Sequence, residues 1–190
     1  MKPRFLSRVL LVAAAALAAG CASTTTGSLA TGGAARSQLL LVSADDVMQQ
    51  SLQYFDEQNR EARAKGKLIT SGAQFDRVNA IMHRLVPQVQ AFRPDAAQWP
   101  WQLVLLKDDT INAYVMAGGK ITFYTGIIDK LKLTDDEIAA VMGHEMAHAL
   151  REHTREKISQ SAYNPQTGLV YFQAENDCAI FTGTEADYVP

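Results

Sequence analysis

The sequence predicts an α+β fold that is mostly helical and contains a small antiparallel sheet. Three observations lead to this prediction. Apolar residues recur at helical spacing in two segments between residues 43 and 89. Short β-prone runs separated by turn residues follow between residues 101 and 125. A third helical segment, which has a clear N-terminal capping signal, begins at Thr134.

The composition is that of an ordinary globular protein. Of the 190 residues, 47% are hydrophobic and 20% are charged, which excludes a disordered chain. The net charge of -2 gives no bulk attraction to phosphate, so we expect no nucleic-acid partner. The two cysteines are too few for a disulfide framework or a four-cysteine zinc scaffold.

Residues 1–20 are predicted to be a lipoprotein signal peptide. Lys2, Arg4 and Arg8 precede an apolar, alanine-rich stretch that is too short for a comfortable membrane span. The residues just before Cys21 resemble the site at which a bacterial lipoprotein is cut and lipidated. We therefore expect lipidation at Cys21, and with it a membrane anchor; the alternative is a plain secreted protein in which this cysteine is incidental.

Residues 21–36 are predicted to be a flexible tether, because serine, threonine, glycine and alanine there leave almost nothing to bury. Ala22 directly follows the cysteine. By resemblance to other lipoprotein signals, this residue implies sorting to the outer membrane, with the protein facing the periplasm. Residues 37–190 then have the size of one domain with one core.

Two helices are predicted at the start of this domain. Ser43 is a suitable N-cap for the first helix, which we expect to end at Gly66. The second helix is predicted from about Gly72 to Val89. His83 lies off its apolar stripe and is expected to be an exposed surface residue.

The predicted sheet has three antiparallel strands. They are Trp101–Leu106, Ile111–Met116 and Ile121–Thr125, and the turn between the last two contains Gly118 and Gly119.

The helix that follows the sheet has the strongest local signals. Thr134 as N-cap and Glu137 three residues later form a capping box. We expect this helix to continue unbroken to Asn164. Gly143 inside it costs about 1 kcal/mol relative to alanine, and a small residue there would let another backbone come close.

This helix carries the sequence His144-Glu145-Met146-Ala147-His148, an HExxH motif. Residues four apart on a helix are rotated by about 40°, so both imidazoles project from one face. Their nitrogens can bind one Zn²⁺ at about 2.0–2.1 Å, and Glu145 can deprotonate the zinc-activated water that attacks a peptide carbonyl. A shuffled sequence of this composition would contain the motif roughly 0.003 times.

His153 is predicted to lie outside this metal site. It stands nine residues after His144, about 180° around an unbroken helix, and should therefore face away. Thr154 occupies the position at which the metzincin pattern requires its third His. A third ligand must therefore come from elsewhere.

Several linked motifs resemble peptidase family M48, and most closely its bacterial envelope branch related to the mitochondrial Oma1 protease. These motifs are Asn112-Ala113-Tyr114, Gly118-Gly119-Lys120-Ile121, Tyr124-Thr125-Gly126, Asp136-Glu137-Ile138-Ala139 and the HExxH sequence. The resemblance implies a zincin-like fold, zinc endopeptidase activity and a role in the quality control of envelope proteins. It also implies that the Asn112–Met116 strand forms the sheet edge along which a substrate lies extended.

The C-terminal region departs from the family pattern after about residue 163, as a truncated or divergent end would. Relatives carry an ExEAD motif whose first Glu binds zinc. Glu185-Ala186-Asp187 matches its last three letters, but Gly183 occupies the ligand position. Glu185, Glu175 and Asp177 are the candidates for the third ligand.

Two functions therefore remain open. The first is a lipid-anchored zinc metalloendopeptidase that acts on envelope proteins, with His144 and His148 as ligands and Glu145 as general base. The second is a catalytically impaired, chaperone-like or scaffold envelope lipoprotein that retains the fold, as Gly183 would suggest. A metal-buffering surface is a third idea, against which the predicted direction of His153 argues.

Overall fold

The computed structural model describes residues 22–23, 38–164 and 169–170, and side chains from residue 38 to residue 161. Within these residues, no helix is both long enough and apolar enough to span a bilayer.

The predictions for the two ends of the chain lie outside the described residues. They concern the signal peptide (1–20), Cys21, residues 24–36 of the tether, Glu175, Asp177, Gly183 and Glu185. The predicted domain boundaries stay predictions.

Short strands at both ends flank a central region of helices and a four-stranded sheet. In chain order, the elements are β1 (Ala22–Ser23), β2 (Gln38–Leu39), α1 (Ala44–Ala64), β3 (Leu68–Ile69), α2 (Ala73–Leu85), β4 (Gln102–Leu106), β5 (Ala113–Met116), β6 (Lys120–Tyr124), α3 (Thr125–Leu131), α4 (Asp135–Leu150), α5 (His153–Ala162), β7 (Tyr163–Asn164) and β8 (Leu169–Val170). Two 3₁₀ segments, Val86–Ala91 and Pro94–Gln98, lie between α2 and β4.

Helix α1 begins and ends close to the predicted residues. The side chain of Ser43 accepts a hydrogen bond from the backbone N–H of Asp46, which satisfies one of the free donors at the helix start. Val47, Phe55 and Ala62 form its buried face.

Helix α2 is shorter than predicted. Its α-helical part ends at Leu85, and the chain continues as a 3₁₀ segment to Ala91. Pro87 explains the difference, because it has no N–H to donate to the preceding turn. His83 is exposed, as predicted.

The four-stranded sheet is mixed, so the prediction of a purely antiparallel sheet is wrong. The strand order is β3-β4-β6-β5. Strands β5 and β6 pair antiparallel across a turn at Gly118 and Gly119, both of which have positive φ angles. Strand β6 pairs with β4 in parallel. After β4 the chain first forms the edge strand β5, and β6 then lies between β4 and β5, so that β4 and β6 run in the same direction.

Helices cover both faces of this sheet. Alternate residues of each strand point to opposite faces, which creates two cores. The larger core lies between the sheet and helices α2 and α4, and includes Leu105, Phe123, Ile81, Ile138 and Met142. The smaller core lies under α1 and is formed by Phe55, Val104 and Met116.

Helix α4 ends at Leu150, so the prediction of an unbroken helix to Asn164 is also wrong. Glu152 adopts a left-handed conformation with φ 52°, and α5 begins at the next residue. This conformation costs a non-glycine residue about 1–2 kcal/mol. Two ion pairs offset the cost, because the Glu152 carboxylate lies 3.3 Å from the guanidinium groups of both Arg93 and Arg155.

Candidate metal centre

Helix α4 presents the HExxH residues on its exposed side. The predicted capping box is present, because the side chain of Thr134 accepts from the Glu137 N–H and the Glu137 carboxylate accepts from the Thr134 N–H. The buried residues of the helix, Ile138, Met142, Met146, Ala149 and Leu150, fix it against the core. His144 and His148 lie on the opposite side and are exposed within the described part of the chain.

The two histidines direct their Nε2 atoms toward each other. These atoms are 3.1 Å apart, and the rings meet edge to face with an interplanar angle of 74°. Two nitrogens that bind one zinc ion tetrahedrally lie about 3.3 Å apart. The observed separation therefore fits two ligands of a single ion.

The protonation of His148 also fits a metal ligand. Partial burial of the ring, and secondly the neighbouring His144, lower the pKa of His148 below its ordinary value. A lowered pKa keeps the imidazole neutral near pH 7, which is the form that binds metal. Glu145 is half-buried and directly follows His144 in the same helical turn.

His153 lies beside His148, so the prediction that it faces away is wrong. Their Nδ1 atoms are 2.7 Å apart, and their ring centroids are 4.8 Å apart. The prediction assumed an unbroken helix, whereas the left-handed Glu152 redirects the chain and places the first residue of α5 against the last turns of α4. His148 therefore contacts one histidine through each ring nitrogen.

The described residues provide two members of the expected ligand set. Within residues 38–161, no three His, Cys, Asp or Glu side chains form a group that could hold a metal ion. Catalytic zinc sites usually have three protein ligands. Glu175, Asp177 and Glu185 lie outside the described residues, so the third ligand stays a prediction.

The space beside Gly143 is open with respect to the described residues. A Cβ atom built there meets none of their atoms within 4 Å. The expected close approach of another backbone has no counterpart among them.

Strand β5 is the edge of the four-stranded sheet, and helix α4 packs against it. The N–H of Tyr124 donates to the carbonyl of Asn112. Since hydrogen-bonded pairs alternate along an antiparallel ladder, the backbone groups of Ala113 and Val115 point away from β6, toward an edge that no other described strand occupies. The N–H of Ala113 donates to the side-chain oxygen of Asn112. An extended peptide could pair with Val115 and with the carbonyl of Ala113.

Sequence comparisons relate the chain to known peptidases. The model of the family described as Peptidase family M48 matches residues 72–181, more than half of the chain. The mitochondrial metalloendopeptidase OMA1 of Saccharomyces cerevisiae is 35% identical over 82 residues, which cover 42% of this chain and 24% of that protein. The metalloprotease LoiP of Escherichia coli K12 is 40% identical over 55 residues, covering 29% of this chain and 20% of that protein.

A third relative is the putative beta-barrel assembly-enhancing protease of Vibrio cholerae, which is 25% identical over 116 residues, covering 61% of this chain and 23% of that protein. The matched part of the chain spans between 15% and 24% of the length of the OMA1 proteins of Arabidopsis thaliana and Saccharomyces cerevisiae. No solved structure matches the chain.

Proposed function

The chain belongs to peptidase family M48, and from this premise we propose that it is a zinc-dependent metalloendopeptidase of the cell envelope. One observation carries the proposal. The Nε2 atoms of His144 and His148 converge to 3.1 Å on the exposed side of a capped helix, with Glu145 in the same turn. This arrangement suits a metal ligand pair with a general base beside it.

His144 and His148 would hold the ion through Nε2. When bound, zinc supplies Lewis-acid polarisation of the scissile carbonyl and lowers the pKa of water. Glu145 accepts the proton of the attacking water and later passes it to the leaving amine nitrogen. The third ligand is proposed to be a carboxylate from the C-terminal region, with Glu175, Asp177 and Glu185 as candidates.

The substrate is proposed to be an extended segment of a protein. The outward carbonyl of Ala113 and the outward backbone groups of Val115 offer it a strand to pair with, and α4 packs against that same strand. A peptide bound in this way would lie along the edge next to the helix that carries Glu145.

The location is proposed to be the outer membrane, with the domain facing the periplasm and anchored through lipid on Cys21. The sequence around Cys21 supports the anchor. The name of the Vibrio cholerae relative, which refers to beta-barrel assembly, supports envelope proteins as the substrates.

The test uses the full chain purified in detergent. Its zinc content is measured by elemental analysis, and its activity by cleavage of unfolded casein. We expect one zinc ion per chain and measurable cleavage. Glu145→Gln should retain zinc and lose at least about 100-fold in cleavage rate, the usual minimum for a lost general base. The control Glu57→Gln changes an exposed glutamate of α1 and should behave as the wild type.

Absence of both zinc and cleavage in the wild type would overturn the proposal. Stable binding of unfolded protein without cleavage, unchanged in Glu145→Gln, would favour the chaperone-like or scaffold alternative instead.

A further inference from the structure

We propose that His153 is a positioning residue for the metal site: its Nδ1 accepts a hydrogen bond from the Nδ1–H of His148 and thereby presents the Nε2 of His148 to the ion. The inference rests on the proposed function, and it adds a residue that contacts a ligand instead of the metal.

The proposed role of His148 as a metal ligand sets the direction of this hydrogen bond. The two Nδ1 atoms are 2.7 Å apart, a distance at which one proton lies between them. A neutral imidazole has one donor and one acceptor nitrogen. If the Nε2 of His148 carries the lone pair that binds metal, its Nδ1 carries the proton, and the Nδ1 of His153 must be the acceptor.

A contact of this kind is what a metal-binding histidine needs. Such histidines usually donate their other ring N–H to a neighbouring group, which fixes both the tautomer and the orientation of the ring. A carboxylate or carbonyl commonly fills this position; in this protein a third imidazole fills it. The interplanar angle of 73° brings the edge of one ring toward the other.

The fold holds His153 at this position through the break between α4 and α5. The side chain of Glu152 is 9% exposed, and it pairs with Arg93 on one side and Arg155 on the other. Gln38 connects the two sides of the break, because its amide donates to the carbonyl of Arg151 and to the carboxylate of Glu156. His153 therefore begins its helix from a point that is fixed by several charged and polar contacts.

Direct ligation by His153 is a different arrangement, and the geometry argues against it. Its Nδ1 meets His148 on the side of the ring opposite to His144. No group of three possible ligands forms among the described residues. The structure thus assigns His153 a contact with the ligand His148 and not with the metal ion.

The test compares His153→Asn, which keeps an acceptor oxygen near the position of Nδ1, with His153→Leu, which removes the acceptor. His83→Leu is the matched control, because His83 is exposed on α2. Zinc affinity of the full chain is measured by competition with a chelator. Long-range ¹H–¹⁵N NMR reports the tautomer of each imidazole, and the chain contains only four.

We expect His153→Leu to bind zinc about 10- to 100-fold more weakly, the usual effect of losing such a partner. The NMR spectrum should then lose the single Nδ1–H tautomer of His148. His153→Asn should restore both properties, and His83→Leu should change neither. His153→Ala serves as a second deletion if circular dichroism shows that the leucine variant is unfolded.

Unchanged zinc affinity together with an unchanged His148 tautomer in the deletion variant would overturn the inference and leave the proposed function intact. If the wild type neither binds zinc nor cleaves casein, the proposed function fails. The metal-free spectra then decide whether the contact exists: His148 signals that do not respond to His153→Leu would overturn it.

Discussion

The guanidinium of Arg93 lies 3.3 Å from the carboxylate of Glu152, and this ion pair connects the segment before β4 with the break between α4 and α5. Both side chains are largely buried, at 13% and 9% exposure. The guanidinium also lies 5.0 Å from the ring centre of Trp99 and donates to the carbonyl of Leu150, the last residue of α4. A residue far away in the sequence thus fixes the place where the HExxH helix stops.

We therefore expect Arg93→Met to destabilise the protein by about 2 kcal/mol, since it leaves a buried carboxylate with one partner fewer. Urea unfolding measures the change. The control Lys65→Met removes the exposed pair between Lys65 and Glu61, which should cost at most about 0.5 kcal/mol. Equal losses in the two variants would contradict the importance of the Arg93 contact.

Two glycine-to-alanine changes should have opposite effects. A Cβ atom at Gly126 would clash with the backbone of Asp109, so Gly126→Ala should cost about 2 kcal/mol or more. Gly143 has open space among the described residues, and alanine favours a helix by about 1 kcal/mol. Gly143→Ala should therefore raise the melting temperature, and a decrease would show that other residues fill that space.

The capping box of α4 predicts a dependence of stability on acidic pH. Hydrogen bonds from the backbone and then the side chain of Thr134 lower the pKa of Glu137. The contribution of Glu137 is therefore fully present above the ordinary carboxyl pKa and is lost as pH falls through the lower folded-state pKa. Chemical unfolding between pH 2.5 and 7 should show the wild type and Glu137→Ala converging in stability at the acidic end.

The capping hydroxyl itself is tested by a second pair of variants. Thr134→Ala should cost about 1 kcal/mol at neutral pH, whereas Thr134→Ser keeps the hydroxyl and should cost much less. A similar loss in both variants would argue against the cap.

Tyr114 predicts that stability falls as pH rises in the alkaline range, which is opposite to the effect of Glu137. Burial raises the pKa of its hydroxyl, which donates a 2.6 Å hydrogen bond to Gln58. The unfolded chain ionises near pH 10 while the folded side chain stays protonated, so stability is full below that pH and falls as pH rises. Tyr114→Phe should lose about 1 kcal/mol at pH 8 and approach the wild type by pH 11. A difference in unfolding free energy between the two proteins that stays constant from pH 8 to pH 11 would contradict the prediction.

Zinc should stabilise the folded chain through its two histidines. A ligand at a free concentration 100 times its dissociation constant adds about 2.7 kcal/mol to the free energy of unfolding. In thermal unfolding, zinc should raise the melting temperature of the wild type but not of His148→Ala, and a chelator should reverse this increase. An equal increase in the variant would place the bound zinc elsewhere.

The local features of this protein were readable from its sequence. Ser43 and Thr134 mark helix starts, because their side chains satisfy free backbone donors within three residues. The short apolar run from Leu103 to Leu106, bounded by turn residues, indicates a buried strand in the same local way. The juxtaposition of His144 and His148 also follows from helical geometry alone, since residues four apart must share a face.

Other features had no local signal. The short strand β3 and the helix α3 lack strong periodic patterns. The early end of α2 is an exception, because Pro87 marks it in the sequence. Leu150, Arg151 and Glu152 are all good helix formers, so nothing near them predicts a stop. Glu152 is left-handed and pairs with Arg93, which reaches it from another part of the fold.

The amino-acid order alone determined helix α1, the capped start of α4, the three main strands and the paired imidazoles, because each depends on neighbours within one or two turns. Tertiary structure decided that β6 lies between β4 and β5 and that His153 meets His148. Both outcomes depend on contacts between segments that only folding brings together, and no periodicity within either segment encodes them.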